Sequence, residues 1–277
     1  MSTYETFLID RPEDGIAVIT LNRPDSLNAI SWQMVQELHD CYSEFEDDID
    51  TRVVILTGAG DRGFCSGTDL KSGRGGSGEE TAEEVRAMAS RHSRTQRRIA
   101  DLSLHMRKIP QPLIAAVNGV AAGGGFSLAM ACDVRVAVES ARFICSYINI
   151  GLSAGEIGSS YWLPRLVGFS QAAELLYTGR TLFASEAKEM GLVSRVVPDG
   201  GALEAALDVA RQMVGKSPFG LRMTKEILNQ SVDAQSLESA LYLENRTQSL
   251  AVMSGDFRHA VEAFKEKRPV VYPKEQV

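Results

Sequence analysis

Apolar positions in this chain follow two rhythms, and the change between them outlines the fold. Val53-Val54-Ile55-Leu56-Thr57 before Gly58, and Leu113-Ile114-Ala115-Ala116-Val117 between Pro112 and Asn118-Gly119, are unbroken apolar runs of strand length. Such runs mark strands buried on both faces. Phe7-Leu8-Ile9 and Ile16-Ala17-Val18-Ile19-Thr20-Leu21 flank Pro12-Glu13-Asp14-Gly15 and predict a hairpin. Asn22-Arg23-Pro24-Asp25-Ser26 reads as a turn. Met34, Val35, Leu38, Tyr42 and Phe45 recur at helical spacing behind Ser31, a candidate N-cap. They predict an amphipathic helix from residue 31 to about 47. A long, charge-rich helix is expected over 81–109, ended by Pro110. Strands are expected over 133–138, 142–145 and 193–197, and helices over 159–166, 170–177 and 184–190. After Gly201 the helical rhythm runs alone, over 202–214, 219–230, 237–254 and 257–265. Periodicity therefore predicts an α/β core over 1–200 and a helical region over 201–277.

Composition narrows the setting. At 277 residues, 44% hydrophobic and 23% charged, the chain can bury a sizeable core. Its net charge of −7 argues against non-specific nucleic-acid binding, so an anionic ligand must meet a local basic patch. Cys41, Cys65, Cys132 and Cys145 form no CxxC pair and read as buried free thiols of a reducing compartment. Met1-Ser2-Thr3-Tyr4-Glu5 resembles no secretory leader, and glycines with Asn118 interrupt the segment 113–132 as a membrane span. A cytoplasmic protein without membrane contact is expected. His39, His92, His105 and His259 stand apart within helical patterns, and no metal site is expected from them.

Candidate chemistry begins after the second buried strand. Gly123-Gly124-Gly125 leads straight into Phe126-Ser127-Leu128-Ala129-Met130-Ala131, a short apolar helix pattern. Three glycines at a helix entry carry a high backbone-entropy cost. They suit tight strand–helix packing, or a ligand lying against the backbone. The first N–H groups of a helix lack intrahelical partners, and the dipole adds positive charge there, so the entry suits an oxyanion or phosphate. A second turn of small residues, Phe64-Cys65-Ser66-Gly67-Thr68-Asp69-Leu70, follows the first buried strand.

With these two turns the sequence resembles the enoyl-CoA hydratase/isomerase (crotonase) superfamily. The resemblance spans nearly the whole chain. It includes Asn22-Arg23-Pro24, Leu27-Asn28-Ala29, the stretch from Gly63 to Lys71, the glycine helix with Cys132-Asp133, Gly179-Arg180, Ala187, Gly191-Leu192-Val193 and Glu266-Lys267-Arg268-Pro269. It implies an α/β fold: a crotonase-like core of repeated ββα units that binds acyl-CoA, and a C-terminal helical region that packs between subunits. A homotrimer or hexamer is expected, since Met213, Leu221, Leu241, Leu243 and Phe264 are apolar residues one subunit would leave partly uncovered. The resemblance further implies that the N–H groups of Thr68 and Gly124 hold a thioester carbonyl oxygen. By the same resemblance Arg23, Ala29, Ser66, Lys71 and Lys267, with Arg268, lie along coenzyme A. Lys71 leads for a phosphate because it directly follows the first turn. Coenzyme A enters as part of the substrate, and no permanently bound cofactor is implied. Ser72-Gly73-Arg74-Gly75-Gly76-Ser77-Gly78 is expected to be mobile, as a lid over the acyl group or a tolerated surface insertion.

The acid/base positions depart from the family. Typical hydratases carry one glutamate a turn into the glycine helix and another twenty residues on; Ser127 and Tyr147 stand there in this chain. A serine hydroxyl needs its own base and a tyrosine titrates at about 10, so neither serves as a general base near neutral pH. Glu156, within Gly151-Leu152-Ser153-Ala154-Gly155-Glu156-Ile157-Gly158, lies on a loop that some family members use to present an additional carboxylate. It is either the working acid/base or a glutamate favoured by the dipole at a helix start. Asp69 and Asp133 read as structural carboxylates, and Trp32, Phe126, Tyr161 and Trp162 as pocket wall or core. The expected function is an acyl-CoA-processing enzyme of the enoyl-CoA hydratase/isomerase type, acting in fatty acid metabolism. The same oxyanion hole would also support hydrolysis of an acyl-CoA C–C or thioester bond. Loss of both glutamates leaves open a non-catalytic CoA-ester binder.

Overall fold

The computed structural model describes residues 3–69 and 82–272, the stretch 82–92 by its backbone alone. Lys71 and the glycine-rich stretch 72–78 lie outside the described residues. The first hairpin forms as its pattern predicts: β1 (Phe7–Glu13) pairs antiparallel with β2 (Ile16–Leu21). A turn over Pro24–Ser26 leads to α1 (Trp32–Glu46), capped by the Ser31 hydroxyl, which accepts from the Met34 N–H at 3.1 Å. Such a cap stabilises by about 1 kcal/mol.

Three strand pairs follow, and each is split between two sheets. β3 (Val53–Gly58) and β4 (Gly63–Cys65) precede α2 (Ala82–Lys108). β5 (Leu113–Val117) and β6 (Val120–Ala122) precede α3 (Gly124–Ala131). β7 (Val134–Val138) and β8 (Arg142–Ile144) precede α4 (Ser159–Val167) and α5 (Phe169–Thr178). Then come β9 (Thr181–Phe183), α6 (Ala184–Glu189) and β10 (Arg195–Val197). The larger sheet runs β1-β2-β3-β5-β7-β10 and is parallel beyond its first pair. The smaller runs β4-β6-β8-β9, with only β9 antiparallel. Asn118 fixes one crossing between the sheets: its Nδ2 donates to the carbonyls of Gly58 and Gly60, both at 2.8 Å.

Beyond residue 200 the helices divide by what they bury. α7 (Ala202–Val214) lies across β2, β3, β5 and β7, with Ala202, Ala206, Leu207 and Ala210 in the core. α8 (Pro218–Ser231) buries only Pro218 and Lys225, α9 (Leu237–Met253) only Thr247, and α10 (Asp256–Lys265) only Ala263. One polar knot ties α8 to the core. Asp133 accepts from the Leu113 N–H and from Arg107, and Lys225 stands 3.3 Å from its second oxygen. Lys225 also donates to the carbonyls of Met106 and Gln111 around the end of α2.

One expectation needs correction. His39 and His105 do not stand apart, because α1 and α2 pack side by side and bring their Nδ1 atoms to 3.0 Å. His39 Nε2 bonds the Arg98 carbonyl at 2.9 Å, and His105 Nε2 faces Glu46 at 3.1 Å. Burial holds both imidazoles below the ordinary histidine pKa. Among the described residues no helix is long and apolar enough to cross a membrane.

Candidate active site

The smaller sheet brings the two glycine turns together. β4 and β6 are parallel neighbours, with Cys65 opposite Ala121, so the chain leaves both strands at one edge. One exit is Ser66-Gly67-Thr68 and the other is Gly123-Gly124-Gly125. Gly67 has φ +95°, and a Cβ there would lie 2.8 Å from the Ala122 oxygen and 3.1 Å from the Gly124 nitrogen. Only glycine lets the two turns touch.

The N–H groups are aimed by their neighbours. The Ile30 N–H donates to the Gly67 carbonyl at 2.8 Å, and the Asp69 N–H donates to the Ile30 carbonyl at 2.9 Å. The Thr68 N–H between them therefore points away from Ile30. Gly124 opens α3, where the N–H has no intrahelical partner and gains from the dipole. A Cβ on Gly124 would stand 3.6 Å from the Thr68 nitrogen. Two donors thus share one wall of a cavity of about 560 Å³.

Glu156 lies on the same cavity, with Tyr147, Gln96 and the apolar Ile99 and Leu152. Its carboxylate Oε1 accepts from Gln96 Nε2 at 2.8 Å. The Ser127 hydroxyl donates to the Glu156 main-chain carbonyl at 3.0 Å and lies 3.1 Å from the Tyr147 hydroxyl. Burial, then the Glu156 charge and a hydrogen bond to that carboxylate, push the Tyr147 phenol well above its ordinary pKa. Tyr147 and Ser127 are therefore protonated hydrogen-bonding groups at neutral pH. The loop is held in a costly shape: Ile157, β-branched and buried, has φ +49°. Left-handed backbone at such a residue costs on the order of 1–3 kcal/mol. Its Cδ1 would lie 3.1 Å from a Cβ on Gly124, so the residue that turns Glu156 also packs on the glycine helix.

The other expected site residues are placed unevenly. Ser66 lines the cavity and donates to the Ser26 carbonyl. Arg23 is engaged nearby, donating to Asp69 at 2.8 Å and to the Ala29 carbonyl at 2.6 Å. Asp69 is thus ion-paired on the cavity wall. Lys267 and Arg268 follow α10 and do not line the cavity, and Arg268 pairs with Glu266. Trp32 lines the cavity, whereas Phe126 is core and Trp162 packs against Tyr161 and Arg107. Burial pushes the Cys65 and Cys145 thiols up to about 12, so neither supplies a thiolate nucleophile at neutral pH.

Two contributors were not among the expected site residues. Gln96 is one polar residue on a charged helix, and nothing in its neighbours distinguishes it. Arg135 interrupts the apolar run Val134-Arg135-Val136, which does mark it. Its buried guanidinium donates to the carbonyls of Ala129, Met130 and Leu192 and to that of Cys132 at 2.5 Å, holding the far end of the glycine helix.

Known proteins place the chain in a family. A family model described as enoyl-CoA hydratase/isomerase matches residues 11–275. A probable enoyl-CoA hydratase of Mycobacterium bovis is 42% identical over 272 residues, covering 98% of this chain and 94% of its own. The 1,2-epoxyphenylacetyl-CoA isomerase of Escherichia coli is 36% identical over 262 residues, covering 95% of this chain and 96% of its own. The crystal structure of an enoyl-CoA hydratase from Bacillus anthracis superposes with a TM-score of 0.89 at 36% identity, covering 98% of this chain and 100% of its own. Family model, full-length relatives and superposed fold converge, and the chain belongs to the enoyl-CoA hydratase/isomerase family, as an enzyme of that type.

Proposed function

We propose that this enzyme binds the carbonyl oxygen of an enoyl-CoA thioester between the N–H groups of Thr68 and Gly124 and moves a proton with Glu156. The observation that carries this reading is that all three line one cavity, while the Ser127 and Tyr147 hydroxyls are bonded to each other and Ser127 to the Glu156 main chain. The Glu156 carboxylate takes a proton from a carbon of the acyl chain, and the electron pair left behind spreads onto the thioester oxygen as an enolate. Two N–H donors and the start of a helix stabilise that charge. Glutamic acid then returns the proton to another carbon of the conjugated chain, and the double bond has moved. The step balances without a co-reactant. Asp69, the other carboxylate among the described cavity residues, is held by Arg23. Hydration is the second reading, favoured because Gln96 offers an amide beside Glu156 that suits a bound water. Ser66, with Arg23 and Ala29 beside it, flanks the coenzyme A portion in this reading.

Mass spectrometry of a panel of enoyl-CoA thioesters tests it. Isomerisation yields a product of unchanged mass that gains deuterium in D2O, and hydration adds the mass of one water. Free coenzyme A as the product would point to thioester hydrolysis, and no change in any thioester would reduce the protein to a binder.

The assembly is proposed to be a trimer or hexamer joined through the helices after α7, in the cytoplasm, where four buried free thiols are stable. Tyr242, Met253 and Phe264 are 78%, 80% and 84% exposed in the single chain, more than a solvated helical face normally leaves bare. Sedimentation at micromolar concentration should show a trimer or larger, and a stable monomer would overturn the assembly.

A further inference from the structure

Gln96 projects from α2 to donate its amide to Glu156 Oε1 at 2.8 Å. Other groups reach Glu156 from separate elements: Ser127 on α3 holds its main-chain carbonyl, and the Tyr147 hydroxyl, 3.1 Å from that of Ser127, stands in the field of its carboxylate. Ser159 accepts from its N–H at 3.0 Å. Main chain and side chain of Glu156 are thus fixed independently, and Gln96 is the donor on the carboxylate that comes from a different wall.

We propose, on the reading that Glu156 is the acid/base, that Gln96 is its positioning residue and holds the carboxylate in one orientation at the cavity wall. The chemistry of the side chain fits that task. An arginine or lysine there would form an ion pair and quench the base, whereas a neutral amide orients the carboxylate and leaves its charge available. The support behind Gln96 fits as well. Within a turn of it α2 is clamped, where His39 holds the Arg98 carbonyl at 2.9 Å. Farther along, Trp162 donates to Ser103 at 3.0 Å, Lys225 to the Met106 carbonyl at 3.0 Å and Asn229 to the Arg107 carbonyl at 2.8 Å. Gln96 therefore stands on a helix that cannot slide. Among the described residues, the titratable and charged groups facing Glu156 across the cavity are Tyr147 and the Asp69–Arg23 pair.

The test compares Gln96→Met, of similar length but without a donor, with Gln96→Glu, which sets a second carboxylate against the first. Both are assayed in the full chain with trans-3-hexenoyl-CoA and trans-2-hexenoyl-CoA as the probes, as pH profiles of kcat and KM. Gln96→Met should lower kcat about tenfold, leave KM within about threefold and move the acidic limb of the profile upward. Gln96→Glu should move that limb further in the same direction. A purely structural glutamine would lower Tm or the yield of active enzyme and leave the limb in place, and an unmoved limb in both variants overturns the proposal. Glu156→Gln in the same assay separates the two layers. If it is inactive while both Gln96 variants keep the wild-type profile, the positioning role falls and the base stands. If it turns over normally, or the wild-type enzyme leaves both probes unchanged, the underlying reading falls and takes the positioning role with it.

Discussion

Glu156→Gln should lower kcat by about 10²–10⁴, the usual worth of a positioned proton-transfer group, with the fold intact. Glutamine keeps the shape and one hydrogen-bonding oxygen for Gln96, so the contact at 2.8 Å has a counterpart in the variant. The side chain is only half-buried, and no ion pair depends on it among the described residues. Acyl-CoA affinity should stay within about threefold, because the oxyanion donors are backbone groups of other residues. The acidic limb of the pH–rate profile should vanish with the titratable group. Ser127→Ala is the matched control. It removes one of two donors to the Glu156 carbonyl, which keeps the Ser159 N–H at 3.0 Å, so turnover should fall much less than in Glu156→Gln. Steady-state kinetics of the two variants decide between the roles. Normal turnover by Glu156→Gln would make the residue a helix-start glutamate and leave proton transfer to water or to the substrate itself.

Gly124→Val and Gly125→Ala, at adjacent positions, should fail in opposite ways. A Cβ on Gly124 meets the Ile30 and Ile157 Cδ1 atoms at 3.1 Å, ends of side chains that can give way. The fold should survive, while the branched side chain intrudes where the thioester oxygen is held. Activity should fall by at least about 10², as when one oxyanion donor is lost. A Cβ on Gly125 would stand 2.0 Å from the Cys65 carbonyl oxygen, in the backbone of β4. That strand cannot yield without disturbing its pairing with β6, so Gly125→Ala should cost about 3 kcal/mol or more and lower the yield of folded protein. Thermal unfolding with turnover of the accepted thioester separates the outcomes. Wild-type turnover by Gly124→Val would place the carbonyl oxygen elsewhere.

Much of this was legible in the chain because periodicity reports local burial. The runs at 53–57 and 113–117 became β3 and β5, and the spacing behind Ser31 became α1 with the expected cap. The turns 66–68 and 123–125 announced themselves by their glycines, and the resemblance assigned them a chemistry. β4, β6 and β9 were not legible. Three residues cannot display a period, and their apolar character is indistinguishable from that of a turn. The affiliation of α7 was equally hidden, since an amphipathic helix shows that it has an apolar face and not which surface covers it.

By itself, then, the sequence determined the order of the longer strands and helices, the two glycine turns and the absence of carboxylates at positions 127 and 147. The tertiary structure decided what those features do. Parallel pairing of β4 with β6 places Thr68 beside Gly124, and left-handed backbone at Ile157 turns Glu156 into the cavity. Packing of α1 against α2 joins His39 to His105 and sets Gln96 against Glu156. Each is a contact between residues far apart in the chain. Local propensity and burial pattern constrain neighbours within a few residues, while contacts across the fold follow from which strand edges pair and which helix faces cover them.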